Sequence, residues 1–269
     1  MPTKTFPLPR ASAIARHGSA LAASIILAMN LPAATAFAAP GALAPNELTS
    51  STPASEVLSA RQQAIALIAS FMAASDMPRL RAALNQGLDA GLTVSEAKEV
   101  LVQLYAYVGF PRSLNALGEL MAVVQARKAR GIDDAPGKEL RRPVPTGEAL
   151  REAGIANQTR ISGGPVKGPV FDFAPVINQY LQTHLFGDIF ERDNLDWQSR
   201  ELATVGALAA TPGAEPQLRS HMAASMRVGL TAAQLRQVVQ LLKEYGDAEA
   251  GKRADQALSQ ALAAATEAR

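Results

Sequence analysis

The chain writes one segment twice. Residues 77 to 93 read MPRLRAALNQGLDAGLT and residues 215 to 231 read EPQLRSHMAASMRVGLT. At a constant separation of 138 residues they share Pro78/Pro216, Leu80/Leu218, Arg81/Arg219 and the Gly-Leu-Thr at 91–93 and 229–231. A repeated segment implies a repeated supersecondary unit, so any fold for this chain must build the same local structure in two places. Among the positions where the copies differ, Ala83 stands opposite His221, a methyl group opposite an imidazole.

The repeat reads as helices. Thr93-Val-Ser-Glu96 and Thr231-Ala-Ala-Gln234 each set a hydroxyl three residues before Glu or Gln, the pattern of a capping box, and each precedes an apolar run at helical spacing. Val100, Leu101 and Leu104 match Val238, Val239 and Leu242, and Tyr107 matches Tyr245. Gly91 and Gly229 fall just past one helix and before the next N-cap, where a left-handed residue is wanted. Upstream, Arg61-Gln62 and Arg200-Glu201 each open a further apolar helix. Ala and Leu abound, aromatics are only 5%, and runs of β-branched residues are scarce. The expected fold is all-α: a first unit over 57–125, a linker or loop rich in Gly, Pro and charge over 126–169, and a second unit over 170–262, with Phe171 to Phe190 as one helix leading into it.

Residues 1–38 read as a signal peptide. Lys4, Arg10 and Arg16 form a basic start, Ser19 to Leu31 is an uncharged and mostly apolar run, and Ala36-Phe37-Ala38 supplies the small-x-small pattern of a cleavage site. The apolar run is short of the roughly 20 residues a membrane span needs. A periplasmic or secreted protein with no membrane attachment after cleavage is the expectation. The formal charge of +2 falls to −1 without the three cations of that segment. The remaining basic clusters, Arg127 to Arg130 and Lys138 to Arg142, have acids beside them, so a nucleic-acid partner is not expected and both read as solvated linker.

Cysteine is absent from the chain. No disulfide can staple it and no thiol can act in it. Stability must come from core burial or oligomerisation.

The two units resemble the carboxymuconolactone decarboxylase family, which includes the AhpD-like alkylhydroperoxidases. The resemblance rests on YAYVGFPRSLNAL in the first unit and on DWQSRELATVGALAA and LRSHMAASMRVGLT in the second. The thiol branch of that family carries CxxCxxxH, with its histidine eight residues before the glycine of the Gly-x-Thr turn. His221 stands eight before Gly229, while the two cysteine positions hold Ala214 and Gln217. The resemblance therefore implies the family histidine without a peroxide-reducing disulfide cycle, which needs an attacking and a resolving thiol. It also implies a glutamate partner for the histidine, and Glu201, twenty residues earlier, stands near that position. The first unit has Gln62 and Ala83 in the corresponding places and reads as a degenerate copy kept for packing.

A lactone decarboxylation of the family's type has to move a proton at carbon, hold carboxylates and stabilise an enolate-like charge. An imidazole can take and give a proton near neutral pH, so His221 is the candidate acid/base and Glu201 the group that orients it. Arg200 and Arg219 are candidate substrate-binding residues, because a guanidinium meets a carboxylate in a two-pronged fork. Tyr245 is a candidate hydrogen-bond donor to substrate. Arg81 shares the pattern of Arg219 with no histidine beside it, which points instead to a structural salt bridge. His184 and Trp197 read as packing residues. The two histidines beyond the leader lie 37 positions apart, with no metal-ligand spacing, and no phosphate loop or nucleophile elbow occurs, so a site without metal or cofactor is expected.

Two readings stand at this level. One is an exported lyase acting on a small carboxylated or lactone-like organic acid. The other is a non-catalytic binding or scaffold protein on the same fold, in which His221 is a packing residue. The resemblance further implies a homo-oligomer, with three two-unit chains forming a six-unit ring.

Overall fold

The computed structural model describes residues 56–267, which belong to one compact unit, and the expected signal peptide lies outside them. Among the described residues there is no strand, and no helix is long and apolar enough to cross a membrane. In the first copy, α1 (Ala60–Ala73), α2 (Met77–Asp89), α3 (Val94–Gln103), the single turn α4 (Tyr105–Val108) and α5 (Phe110–Ala129) follow in order. In the second, the corresponding helices are α9 (Trp197–Ala209), α10 (Glu215–Arg227), α11 (Ala232–Tyr245) and α12 (Ala248–Glu267). Between them run α6 (Gly147–Ser162), α7 (Pro169–Phe173), α8 (Pro175–Tyr180) and a π-helical segment, Leu181–Ile189.

The local signals are realised as helix ends. Thr93 and Thr231 each accept from the third helical N–H, of Glu96 and Gln234, whose side chains reach back to the cap N–H. Each closed box relieves two of the N–H groups that a helix start leaves unpaired. Gly91 and Gly229 take positive φ, 89° and 102°. A third box, Ser59 with Gln62, opens α1. The amide of Gln62 is thus spent on its own helix end, which explains its presence without any reference to a site.

Both copies contribute to one core. Ile65, Leu67, Leu80, Leu84 and Leu101 of the first are continuous with Leu202, Val205, Leu218, Val238 and Leu242 of the second. At its centre α1 crosses α9 so closely that a Cβ on Gly206 would lie 2.3 Å from the carbonyl oxygen of Ala66. Only a residue without a side chain permits that approach.

The segment read as linker is more structured than its composition suggests. Gly147–Ser162 is helical, and its Gly154 reflects packing: a Cβ on this buried residue would fall 1.7 Å from the carbonyl oxygen of Gln182 in the π-helical segment. Upstream, the stretch 135–138 docks on the start of α3, where Val94 N–H donates to Ala135 O (3.0 Å), Ser95 N–H to Pro136 O (2.9 Å) and Ser95 Oγ to Lys138 O (2.7 Å). Arg127, expected to be solvated, is buried between Asp134 (2.9 Å) and Asp89 (2.8 Å). The single helix expected over 171–190 is broken. Pro175 cannot continue the ladder from α7, so the chain restarts as α8, and widens into the π-helical turns beyond Tyr180.

Candidate active site

Helix α9 starts where Asp196 Oδ1 accepts from Ser199 N–H at 2.7 Å, and α10 starts with Pro216 in its first turn, a position that needs no N–H. The two helices pack together and bring Glu201 to His221. The ring Nδ1 lies 2.8 Å from Glu201 Oε2. Glu201 is completely buried, while the His221 side chain keeps 14% exposure. A buried carboxylate is an acceptor, so it holds the proton on Nδ1 and leaves Nε2 as the nitrogen with a lone pair. The other carboxylate oxygen, Glu201 Oε1, is enclosed without a hydrogen-bond partner.

The remaining wall comes from the first copy. The Tyr107 ring meets His221 edge to face, with centroids 5.4 Å apart and planes at 79°. Its hydroxyl is enclosed beside Thr204 without a well-formed hydrogen bond. Burial, and after it the charge of Glu201, push the Tyr107 phenol well above its ordinary range, so the hydroxyl stays protonated next to the carboxylate. Ser225, one helical turn after His221, also has a buried hydroxyl without a partner.

The structure separates the other expected site residues from this pair. Arg200 is fully buried and is no substrate cation. Its Nη1 donates to Gln103 Oε1 (3.0 Å), and its Nη2 donates to Arg192 O (2.8 Å) and lies 3.5 Å from Glu99 Oε2. Burial pulls the Arg200 guanidinium below its ordinary range, and Glu99 opposes that pull. Glu99 of α3 is in turn held by Arg192 at 2.9 and 2.5 Å. The residue adjacent to Glu201 thus fastens the two copies together.

Arg219 is exposed. Two positions from His221 on a helix of 3.6 residues per turn, it points to another side, into a cleft of about 180 Å³ shared with Arg253, which neither His221 nor Glu201 lines. Its counterpart Arg81 pairs with Glu119, as the structural reading expected, but the residue equivalent to Glu119 is Ala257, so Arg219 has no such partner. Tyr245 packs on the shared core; its phenol is raised chiefly by a hydrogen bond with Glu244, and its carbonyl accepts from Arg79 at 3.2 Å. The tyrosine at His221 is the first copy's. Its match to Tyr245 was visible in the sequence, but not the crossing of the copies that exchanges their places.

An all-α, cysteine-free chain with a buried histidine–carboxylate pair on two packed helices defines the class. Residues 175–267 match the model of the carboxymuconolactone decarboxylase family. No curated protein matches the chain.

Proposed function

We propose that the chain is an exported, cofactor-independent acid–base enzyme of the carboxymuconolactone decarboxylase type, a carbon–carbon lyase acting on a small carboxylated or lactone-like organic acid. The observation that carries this reading is the 2.8 Å contact between His221 Nδ1 and a completely buried Glu201. A carboxylate withdrawn from water and aimed at one ring nitrogen fixes both tautomer and ring orientation, and both are needed of a group that must meet a substrate proton in one geometry. Loss of carbon dioxide leaves its bonding pair on the substrate as an enolate-like anion, and His221, protonated from solvent at Nε2, delivers the proton that this pair takes up. Glu201 stabilises the imidazolium until that transfer, and the Tyr107 ring restricts the imidazole from the side.

Export rests on the pattern of residues 1–38, and a periplasmic or secreted location follows from it. Assembly of three chains is supported by apolar side chains left in solvent, among them Leu114 and Met121 on α5 and Phe173, 92% exposed, on α7. A thiol-based peroxidase reading lacks its nucleophile, because the chain has no cysteine.

The test is turnover of a panel of small lactones and carboxylic acids, followed by carbon dioxide release, for the wild type and His221→Ala. Release that vanishes in the variant while its melting temperature holds supports the enzyme. If neither protein turns anything over and the variant merely melts earlier, His221 is a packing residue and the scaffold reading takes its place.

A further inference from the structure

A cavity of about 590 Å³ in the described residues lies away from His221. It opens where the stretch 137–142, helix α6 and the loop 190–197 meet, and its volume is that of a small-molecule pocket. Two features of its lining point to a ligand.

The first is its charge arithmetic. Every carboxylate on the wall is already engaged. Asp193 is paired with Arg141 (2.9 Å), Glu191 with Arg142 (3.1 Å) and Glu96 with Arg61 (2.6 Å), while Asp196 caps α9. The Asp193 carboxyl is held below its ordinary range, most of all by the Arg141 backbone N–H. Two cations of the lining, Lys138 and Arg160, have no carboxylate partner among the described residues. The second is the apolar floor. Trp197 and Phe190 meet edge to face at 5.8 Å, and the Arg160 guanidinium lies over the Trp197 ring at 4.7 Å. Beside them Asn194, 8% exposed, keeps its Oδ1 enclosed without a hydrogen-bond partner.

We infer that this cavity is a binding site for a small planar organic anion, an aromatic carboxylate in chemical class, whose ring lies against Trp197 and whose charge is taken by Arg160 and Lys138. An indole face and a guanidinium together select a flat apolar body that ends in negative charge. Neither His221 nor Glu201 lines the cavity, so the inference stands apart from the proposed reaction.

Trp197 is the only tryptophan in the chain, so its emission reports on this cavity alone. The full chain is titrated with benzoate, with benzamide as the uncharged ring and inorganic phosphate as the charge without a ring, and heats are recorded in parallel by calorimetry. The expected result is a saturable change with benzoate that is at least tenfold weaker with benzamide. It should be at least tenfold weaker in Lys138→Gln/Arg160→Gln and unchanged in His221→Ala. Unaltered melting of the double variant checks its fold; should it melt early, the single variant of the exposed Lys138 is read instead, with weakened binding still expected. An absent or non-saturating response, equal binding of benzamide, displacement by phosphate at equal concentration, or loss of binding in His221→Ala would each overturn the inference.

Discussion

Tyr107 closes on His221 edge to face at 5.4 Å although the two residues belong to different copies of the repeat. The copy without a histidine supplies part of the wall around the copy that has one. Its role can be read in stability. Tyr107→Phe removes a buried hydroxyl that has no well-formed partner, so the variant should be as stable as the wild type or more stable by up to about 1 kcal/mol. Tyr107→Ala leaves a cavity and should cost about 3–5 kcal/mol. Urea unfolding of both variants checks this; a Phe variant that loses as much as the Ala variant would show that the hydroxyl is satisfied.

For the proposed reaction, Glu201→Gln keeps the volume but replaces the carboxylate that accepts the His221 Nδ1 proton. Turnover of any substrate found should drop about 10²–10⁴-fold, the range for loss of a positioned acid–base group. The KM should change little, since Glu201 is fully buried and touches no substrate. A variant as active as the wild type would remove Glu201 from the mechanism.

The Glu99 cluster predicts an acid limb of stability. Burial alone would raise the Glu99 carboxyl, but hydrogen bonds from Arg192 and Asn194 and the charges of Arg192 and Arg200 outweigh it and lower the pKa. Because the folded value is depressed, the contribution is fully present above the ordinary glutamate value, about 4.3, and is lost as pH falls through the folded value. Glu99→Gln should cost about 3–5 kcal/mol at neutral pH by leaving Arg200 buried without its carboxylate. Between pH 5 and the acid limit its stability should decline less steeply than that of the wild type. Parallel denaturation curves across pH would be the contrary result.

Two glycines offer a paired test of packing. Gly206→Ala places a methyl against the Ala66 carbonyl and must push α1 from α9, at about 1–3 kcal/mol. Gly118→Ala, on the exposed side of α5 with nothing within 4 Å, should stabilise by about 0.5–1 kcal/mol. Thermal melts of the two variants should move in opposite directions.

The proposed assembly is tested on α5. Leu114→Lys/Met121→Lys replaces two solvent-exposed apolar side chains on one helix, so sedimentation should show a smaller species than the wild type at equal concentration. A wild type already monomeric at micromolar concentration would end the assembly proposal.

The helices and their ends were legible because their causes are local: Thr93 with Glu96, Thr231 with Gln234, and Gly91 and Gly229 each act within a few residues. The Glu201–His221 pair was reachable through resemblance and helical spacing, though not its distance. What stayed hidden depends on crossings between distant elements. Arg200 carries the same charge whether it faces a ligand or a buried glutamate 101 positions away, and no sequence pattern separates the two. Tyr107 and Tyr245 match in sequence, and only the interleaving of the copies decides which of them stands at the histidine. Gly154 looked like loop composition, yet it marks a backbone contact with Gln182.

The continuous core bears on where this chain can be cut. The stretch alike to the family begins at residue 175. Excised there, α9 would lose the α1 backbone against Gly206, Arg200 would lose Glu99 and Gln103, and His221 would lose its aromatic neighbour. The boundary drawn by likeness is therefore not a boundary of cooperative folding. The histidine-free copy supplies surfaces on which the packing of the histidine-bearing one depends, so the two fold as each other's mould.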